Sequence, residues 1–238
     1  DCRVLEMKVK RVGHIIGNGD MVMLFDEKPR KGFKVACNVT PIETNIYATA
    51  MVDFKFMNAM KSGSVTVPGN WVCGYRPKIW CDNPKNSRYY LKWSSQIKEF
   101  YVDLPQYALM NGDGIGQGYT NWNCGHMATH WAIKRLKLDE VHMFGFDSIF
   151  DFNLKSYSDF ILNSDREAMN TNRLANNWRP IWEHLFREFP HVNFVLHHHH
   201  DAFKISVPKN VQVEVYKKKV KPITQKKETV VNMKVSEA

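Results

Sequence analysis

Twice between Val12 and Asn38 a short apolar run breaks off at small or amide residues. Val12 to Ile16 stops at Gly17-Asn18-Gly19, and Phe33 to Ala36 stops at Cys37-Asn38. Short apolar runs ended by such residues read as buried strands of a parallel sheet. The residues just past the carboxyl ends of those strands line the ligand crevice of an open α/β sheet. Gly17 and Gly19 let the backbone approach a phosphate or ribose, and Asn18 and Asn38 offer amide donors and acceptors. A glycine turn that merely joins strand to helix is the plainer reading of GNG alone, which falls short of GxGxxG and has no Walker lysine. Its weight comes from what recurs downstream.

A chain of 238 residues, 44% of them hydrophobic and 13% aromatic, can bury a sizeable core. No window approaches the roughly 18 apolar residues that span a bilayer, and the opening stretch DCRVLEMKVKRV has no apolar segment long enough for a secretory signal. The five cysteines (Cys2, Cys37, Cys73, Cys81, Cys124) are odd in number and form no CxxC pair. A reduced, cytoplasmic protein with free thiols is the expectation. The formal net charge is +9, but from Lys217 onward seven lysines face only two glutamates. The mildly basic remainder suits anionic small molecules at least as well as nucleic acid, which the charge does not favour.

Further along, alternation in Val52–Phe56 predicts a third strand, and Ser64–Val67 a fourth before Pro68-Gly69. From Pro68 to Pro105 the chain is rich in Trp, Tyr, Pro and Asn without clear period. This reads as a peripheral subdomain or a wall of stacking surfaces, although aromatic clusters are more often core. A second half of the α/β pattern follows. Asn123-Cys124-Gly125 opens a helix to Leu138 with Ala128, Trp131, Ala132 and Leu136 on one stripe, a natural anion site. The strand from Glu140 then ends at Gly145-Phe146-Asp147.

Residues 148–179 are polar and asparagine-rich, suiting a lid or a surface excursion with a short helix. Pro180 starts a helix carrying Ile181, Trp182, Leu185, Phe186 and Phe189. The strand Val192–Leu196 runs into His197–His200, with short strands at 203–207 and 211–216. The expected fold is α/β: a single Rossmann-like domain over 7–216, its mostly parallel sheet flanked by helices, with a lid at about 148–179 and a basic tail at 217–238.

His126 and His130 share a helix face, yet HEXXH is absent and no third ligand suggests itself, so a satisfied pair is the simpler reading. The block His197–His200 stands at a strand end, where one member could act as a general base. Alternation sends two of its histidines to each side.

This order of motifs resembles bacterial sialyltransferases of the single-domain, Rossmann-like kind, over roughly residues 11–60 and 118–200. The resemblance implies a metal-independent glycosyltransferase with no cofactor, taking a nucleotide-sugar donor, CMP-linked in that family, and a glycan or other hydroxyl acceptor. It places Gly17, Asn18, Gly19 and Asn38 against the nucleotide, with Asn123, Cys124 and Gly125 where the family has Thr-Ser-Gly. Asp147 closes the donor site, and Tyr157 is the counterpart of a tyrosine that holds the leaving phosphate. The family's base is a histidine late in the lid. Here Arg173 falls near that place, and Asp165 or His198 is left to take the proton. A non-catalytic or hydrolytic nucleotide-binding protein that kept the crevice is the alternative.

Overall fold

Strand β1 (Val12–Ile16) lies inside a single sheet, paired in parallel with β2 (Phe33–Cys37) on one side and β6 (Glu140–Phe144) on the other. From β2 the chain steps outward through β3 (Ala48–Met51), β4 (Trp71–Cys73) and β5 (Ile97–Phe100). It then crosses back to β6 and continues to β7 (Asn193–His198) and β8 (Val211–Val215). All eight strands are parallel, in the order β5-β4-β3-β2-β1-β6-β7-β8. Connections therefore diverge on either side of β1 and β6, which opens a crevice beyond their carboxyl ends. The computed structural model describes residues 9–109, 122–152, 156–162 and 177–223.

The helices are α1 (Phe54–Lys61), α2 (Tyr75–Asp82), α3 (Ser87–Trp93), α4 (Cys124–Leu136), α5 (Tyr157–Ile161) and α6 (Arg179–Glu188), with a 3-10 segment at Asp20–Glu27. Period-two alternation assigns them to faces. Ile15, Val35, Val141 and Leu196 pack with Met127, Trp131 and Ala132 of α4 and Trp182 and Phe186 of α6. Their neighbours Ile16, Ala36 and Phe144 turn to the opposite face, under the 3-10 segment and α5. Both faces are covered, which is why the central strands read as unbroken apolar runs rather than alternating ones.

Several sequence expectations need correcting. Val52–Phe56 is not a strand: β3 ends at Met51, and Phe54 opens α1, whose Phe56, Met57, Ala59 and Met60 make a buried helical stripe. Val52, Phe54 and Phe56 mimicked alternation because they straddle the end of β3 and the first turn of α1. Ser64–Val67 and 203–207 are not strands, while Val211–Val215 is. The aromatic stretch is core rather than a binding wall, carrying β4, α2, α3 and β5. Trp80 stacks on Trp93 at 5.6 Å, and Trp71 meets Trp93 edge-on at 5.5 Å. Among the described residues Cys37, Cys73, Cys81 and Cys124 are free and buried. No described helix is long and apolar enough to cross a membrane.

Candidate functional site

The crevice is built where two glycine turns lock together. Gly17 N–H donates to the Phe144 carbonyl at 2.7 Å, and Gly19 N–H to the Gly145 carbonyl at 2.9 Å, so the end of β1 is stitched to the end of β6. Gly145 has φ +78°, a conformation glycine adopts at little cost. A Cβ on Gly19 would lie 2.6–2.8 Å from the carboxyl atoms of Asp147. What occupies the space above Gly17 and Gly19 is thus the chain's own Gly145 and Asp147.

Around this lock lie Gly17, Asn18 and Gly19, then Cys37 and Asn38 from β2, Asn123, Cys124 and Gly125 from the start of α4, and Asp147 and Ser148 from beyond β6. They bound about 690 Å³ of space, part of it open to solvent. Of the expected donor residues, all but Tyr157 line it. Tyr157 is turned away: its side chain is buried beside Ile16, Val22 and Phe25, and only its backbone N–H, donating to the Asn18 carbonyl at 2.8 Å, faces this end of the fold. Asp165 and Arg173 lie outside the described residues. His198 is buried at the end of β7, stacked on Phe150 at 4.0 Å, and does not line the crevice.

The asparagines are not idle amides. Asn18 donates from Nδ2 to the Cys37 carbonyl at 2.6 Å, and its Oδ1 accepts from the Ser158 N–H at 3.1 Å and hydroxyl at 2.6 Å. Asn38 Nδ2 donates to the Ser158 hydroxyl at 3.3 Å, while its Oδ1 is buried without a partner. Both asparagines are therefore engaged by α5, which seats this part of the expected lid over the crevice.

Helix α4 arrives with its first turn organised by a reciprocal cap: Asn123 Oδ1 accepts from His126 N–H at 3.0 Å, and His126 Nδ1 accepts from Asn123 N–H at 2.9 Å. His126 Nε2 donates to the Trp178 carbonyl at 2.9 Å, tying the start of α4 to the start of α6. This fixes a neutral ring, and burial pushes its pKa down to about 3. His130 is likewise satisfied, between the Tyr101 hydroxyl at 2.7 Å and Glu188 at 3.1 Å, so this helix face holds no metal pair. The Cys124 thiol donates to the Ala50 carbonyl at 2.8 Å, and burial holds its pKa well above the usual thiol range. It is not a nucleophile at neutral pH. Its backbone and that of Gly125 are what the crevice receives.

Asp147 is the buried carboxyl of the site. Burial first, and then the charge of Asp20, push its pKa up to about 7, against weak donation from the Met21 N–H at 3.4 Å. Its Oδ1 is buried with no hydrogen-bond partner. A carboxyl poised near neutrality with one free oxygen is a proton acceptor in waiting.

Sequence reasoning missed Asp53, Ser156, Ser158 and Trp178 as lining residues. Asp53 stands two residues past the end of β3, so a strand ended at Met51 rather than Phe56 would have revealed it. Ser156, Ser158 and Trp178 carry no local signal, since packing alone brings them there. No family model, curated protein or solved structure matches the chain.

Proposed function

We propose that this protein is a glycosyltransferase of sialyltransferase-like plan, moving a sugar from a nucleotide-sugar donor to a glycan or other hydroxyl acceptor. The observation that carries this reading is one crevice holding both the amino end of α4 and the partly titrating Asp147. The donor's nucleoside would lie beside Asn18 and Asn38. Its phosphate would meet the Cys124 and Gly125 backbone and the positive end of the helix dipole, which suits an anion without requiring a metal there.

Transfer is a displacement at the anomeric carbon. The acceptor oxygen forms the new bond, the bond to the phosphate oxygen breaks, and the hydroxyl proton passes to Asp147. Charge developing on the departing nucleotide falls at the helix start, where aligned N–H groups stabilise it most. Asp147 thus takes the base role for which Asp165 or His198 stood in where the family's lid histidine is not found. A CMP-linked donor is the first to try.

The test is a thermal-shift panel of CMP, CDP, UMP, UDP, GDP and ADP, with and without divalent metal. CMP at a hundred times its Kd should stabilise the chain by about 2.7 kcal/mol, metal or no metal. Preference for a uridine or guanosine nucleotide changes the donor, and silence from all six refutes the crevice as a nucleotide site.

A further inference from the structure

The ends of β6 and β7 bring a second group of side chains together outside the crevice lining. Beyond β6 the chain turns through Asp147–Ile149 and reaches Asp151. At the end of β7 alternation separates the histidine block. His197 Nδ1 contacts the Tyr216 hydroxyl at 2.8 Å and His199 Nδ1 the Tyr216 carbonyl at 3.1 Å. His198 and His200 are left together on the other side, facing Asp151.

His200 Nε2 lies 3.1 and 3.3 Å from the two Asp151 oxygens, and His198 Nε2 lies 3.4 Å from Asp151 Oδ2. One donor atom from each of the three residues falls within 4.8 Å of both others. The His198 side chain is only 3% exposed, yet its Nε2 has no hydrogen-bond partner. A buried ring nitrogen aimed at a carboxylate without bonding it loses its hydration for no return. Something that bonds both would remove that loss.

We infer that Asp151, His198 and His200 form a binding site for one divalent transition-metal ion of the zinc class. Two imidazole nitrogens and one carboxylate oxygen suit zinc, cobalt or nickel better than magnesium or calcium, which favour all-oxygen sets. A tetrahedral ion with donors at about 2.0–2.1 Å sets them about 3.3–3.4 Å apart. The contacts to Asp151, 3.1–3.4 Å, take in that edge. On binding, each ring carries its proton on Nδ1 instead of Nε2. Two long contacts are then given up, from the His200 N–H to His198 Nδ1 at 3.3 Å and from the Ala202 N–H to His200 Nδ1 at 3.2 Å.

Three protein ligands leave a fourth position open, and the half-exposed Asp151 and His200 place it toward solvent. That is the pattern of a site able to hold water or a ligand group rather than a closed structural one. The Arg179 guanidinium donates to the Ser148 carbonyl at 2.9 Å and the Asp151 carbonyl at 3.0 Å, holding the crevice rim and the metal ligand in one rigid segment. An ion here would fasten to β7 the same segment that carries Asp147. The site stands on its own geometry and does not depend on what the crevice binds.

The experiment is a titration of the full chain, purified without a polyhistidine tag and stripped with chelator, using Co(II) followed by visible absorption and Zn(II) by calorimetry. One saturable equivalent is expected, with the ligand-field bands of a four- or five-coordinate cobalt site. Loss of an outer partner costs roughly 10–100-fold in metal affinity, so loss of a ligand in Asp151→Asn or His200→Ala should cost more than a hundredfold. His199→Ala should bind as the parent does. Because Asp151 and His200 are half-exposed, both variants should keep the parent's circular dichroism and melting profile in chelator. Absence of a saturable equivalent, or parent-like affinity in both folded variants, overturns the inference.

Discussion

Asn18 and Ser158, 140 positions apart, are joined twice: the Asn18 Oδ1 accepts both the backbone N–H of Ser158, at 3.1 Å, and its hydroxyl, at 2.6 Å. The same hydroxyl lies 3.3 Å from Asn38 Nδ2. One serine thus holds the two amides that stand at the ends of β1 and β2. The contact fixes α5 against the sheet and presents the crevice with amides whose hydrogen bonds a ligand would have to share or replace.

Ser158→Ala removes the buried hydroxyl and leaves the N–H bond in place. Loss of a buried hydrogen-bonding hydroxyl costs roughly 1–2 kcal/mol, or about 3–6 °C in a chain of this size. Thermal unfolding followed by circular dichroism measures it. A variant as stable as the parent would mean that the serine does not hold α5.

Asn38 has φ +57° and a buried Oδ1 with no partner. Its backbone asks for glycine or asparagine, and its amide makes one long hydrogen bond, to the Ser158 hydroxyl at 3.3 Å. Asn38→Gly should therefore stay within about 0.5 kcal/mol of the parent, whereas Asn38→Val should lose about 1–2 kcal/mol to the left-handed backbone. If the amide serves a ligand, the glycine variant loses nucleotide affinity at nearly full stability. Urea unfolding and the nucleotide panel, run on both variants, separate the two effects.

What the sequence revealed here follows from chain ends. GNG, CN, NCG and GFD mark places where a buried strand stops or a helix starts, and parallel topology collects those places at one edge of the sheet. The helix stripe of Trp131, Ala132 and Leu136 and the run of Trp182, Leu185 and Phe186 were legible for the same local reason. Strand β3, Ala-Thr-Ala-Met, has no bulky β-branched run, and β4 is three residues long, so neither announced itself. Helices α2 and α3 are eight and seven residues long, too short for a period to emerge among their tryptophans and tyrosines. Ser158 was invisible because its role depends on the packing of α5 onto two distant strand ends.

Gly19→Ala would drive a methyl group to within 2.6–2.8 Å of the Asp147 carboxyl atoms. Overpacking of this kind costs about 1–3 kcal/mol. In an Asp147→Ala background the same substitution should cost distinctly less, since the clashing group is gone. A double-mutant cycle by urea unfolding reads this coupling, and equal costs in both backgrounds would contradict the contact.

Acid should weaken the fold well above the ordinary carboxylate range. Burial pushes His14 and His198 down to about 4, His126 to about 3 and His197 to about 2. As pH falls below 6.5 the unfolded chain takes up these protons first, so the unfolded state gains and stability declines toward pH 4. The contribution is fully present above pH 6.5. Asp147 and Asp26, both with raised pKa, oppose this with two carboxyls against four histidines. The urea midpoint should therefore fall between pH 7 and pH 5, and a flat profile would mean that these rings accept protons in the folded state.

Asp147→Asn isolates the opposite sign. With a pKa of about 7 in the fold, against an ordinary value of 3.8, the native state holds this proton where the unfolded chain has released it. Stability from the protonated carboxyl is therefore complete below about pH 4, is lost as pH rises toward 7, and changes no further above that. The asparagine variant has no such loss, so its stability relative to the parent should rise over that interval by at most about 4 kcal/mol. Transfer behaves inversely, because only the ionised carboxyl accepts the acceptor's proton. The parent's rate should climb through about pH 7, and the variant should lose at least about a hundredfold while retaining nucleotide binding. Rate profiles and urea curves on one pair of proteins test both halves. A variant that transfers sugar as fast as the parent removes Asp147 from the base role, and a stability difference independent of pH removes its buried proton.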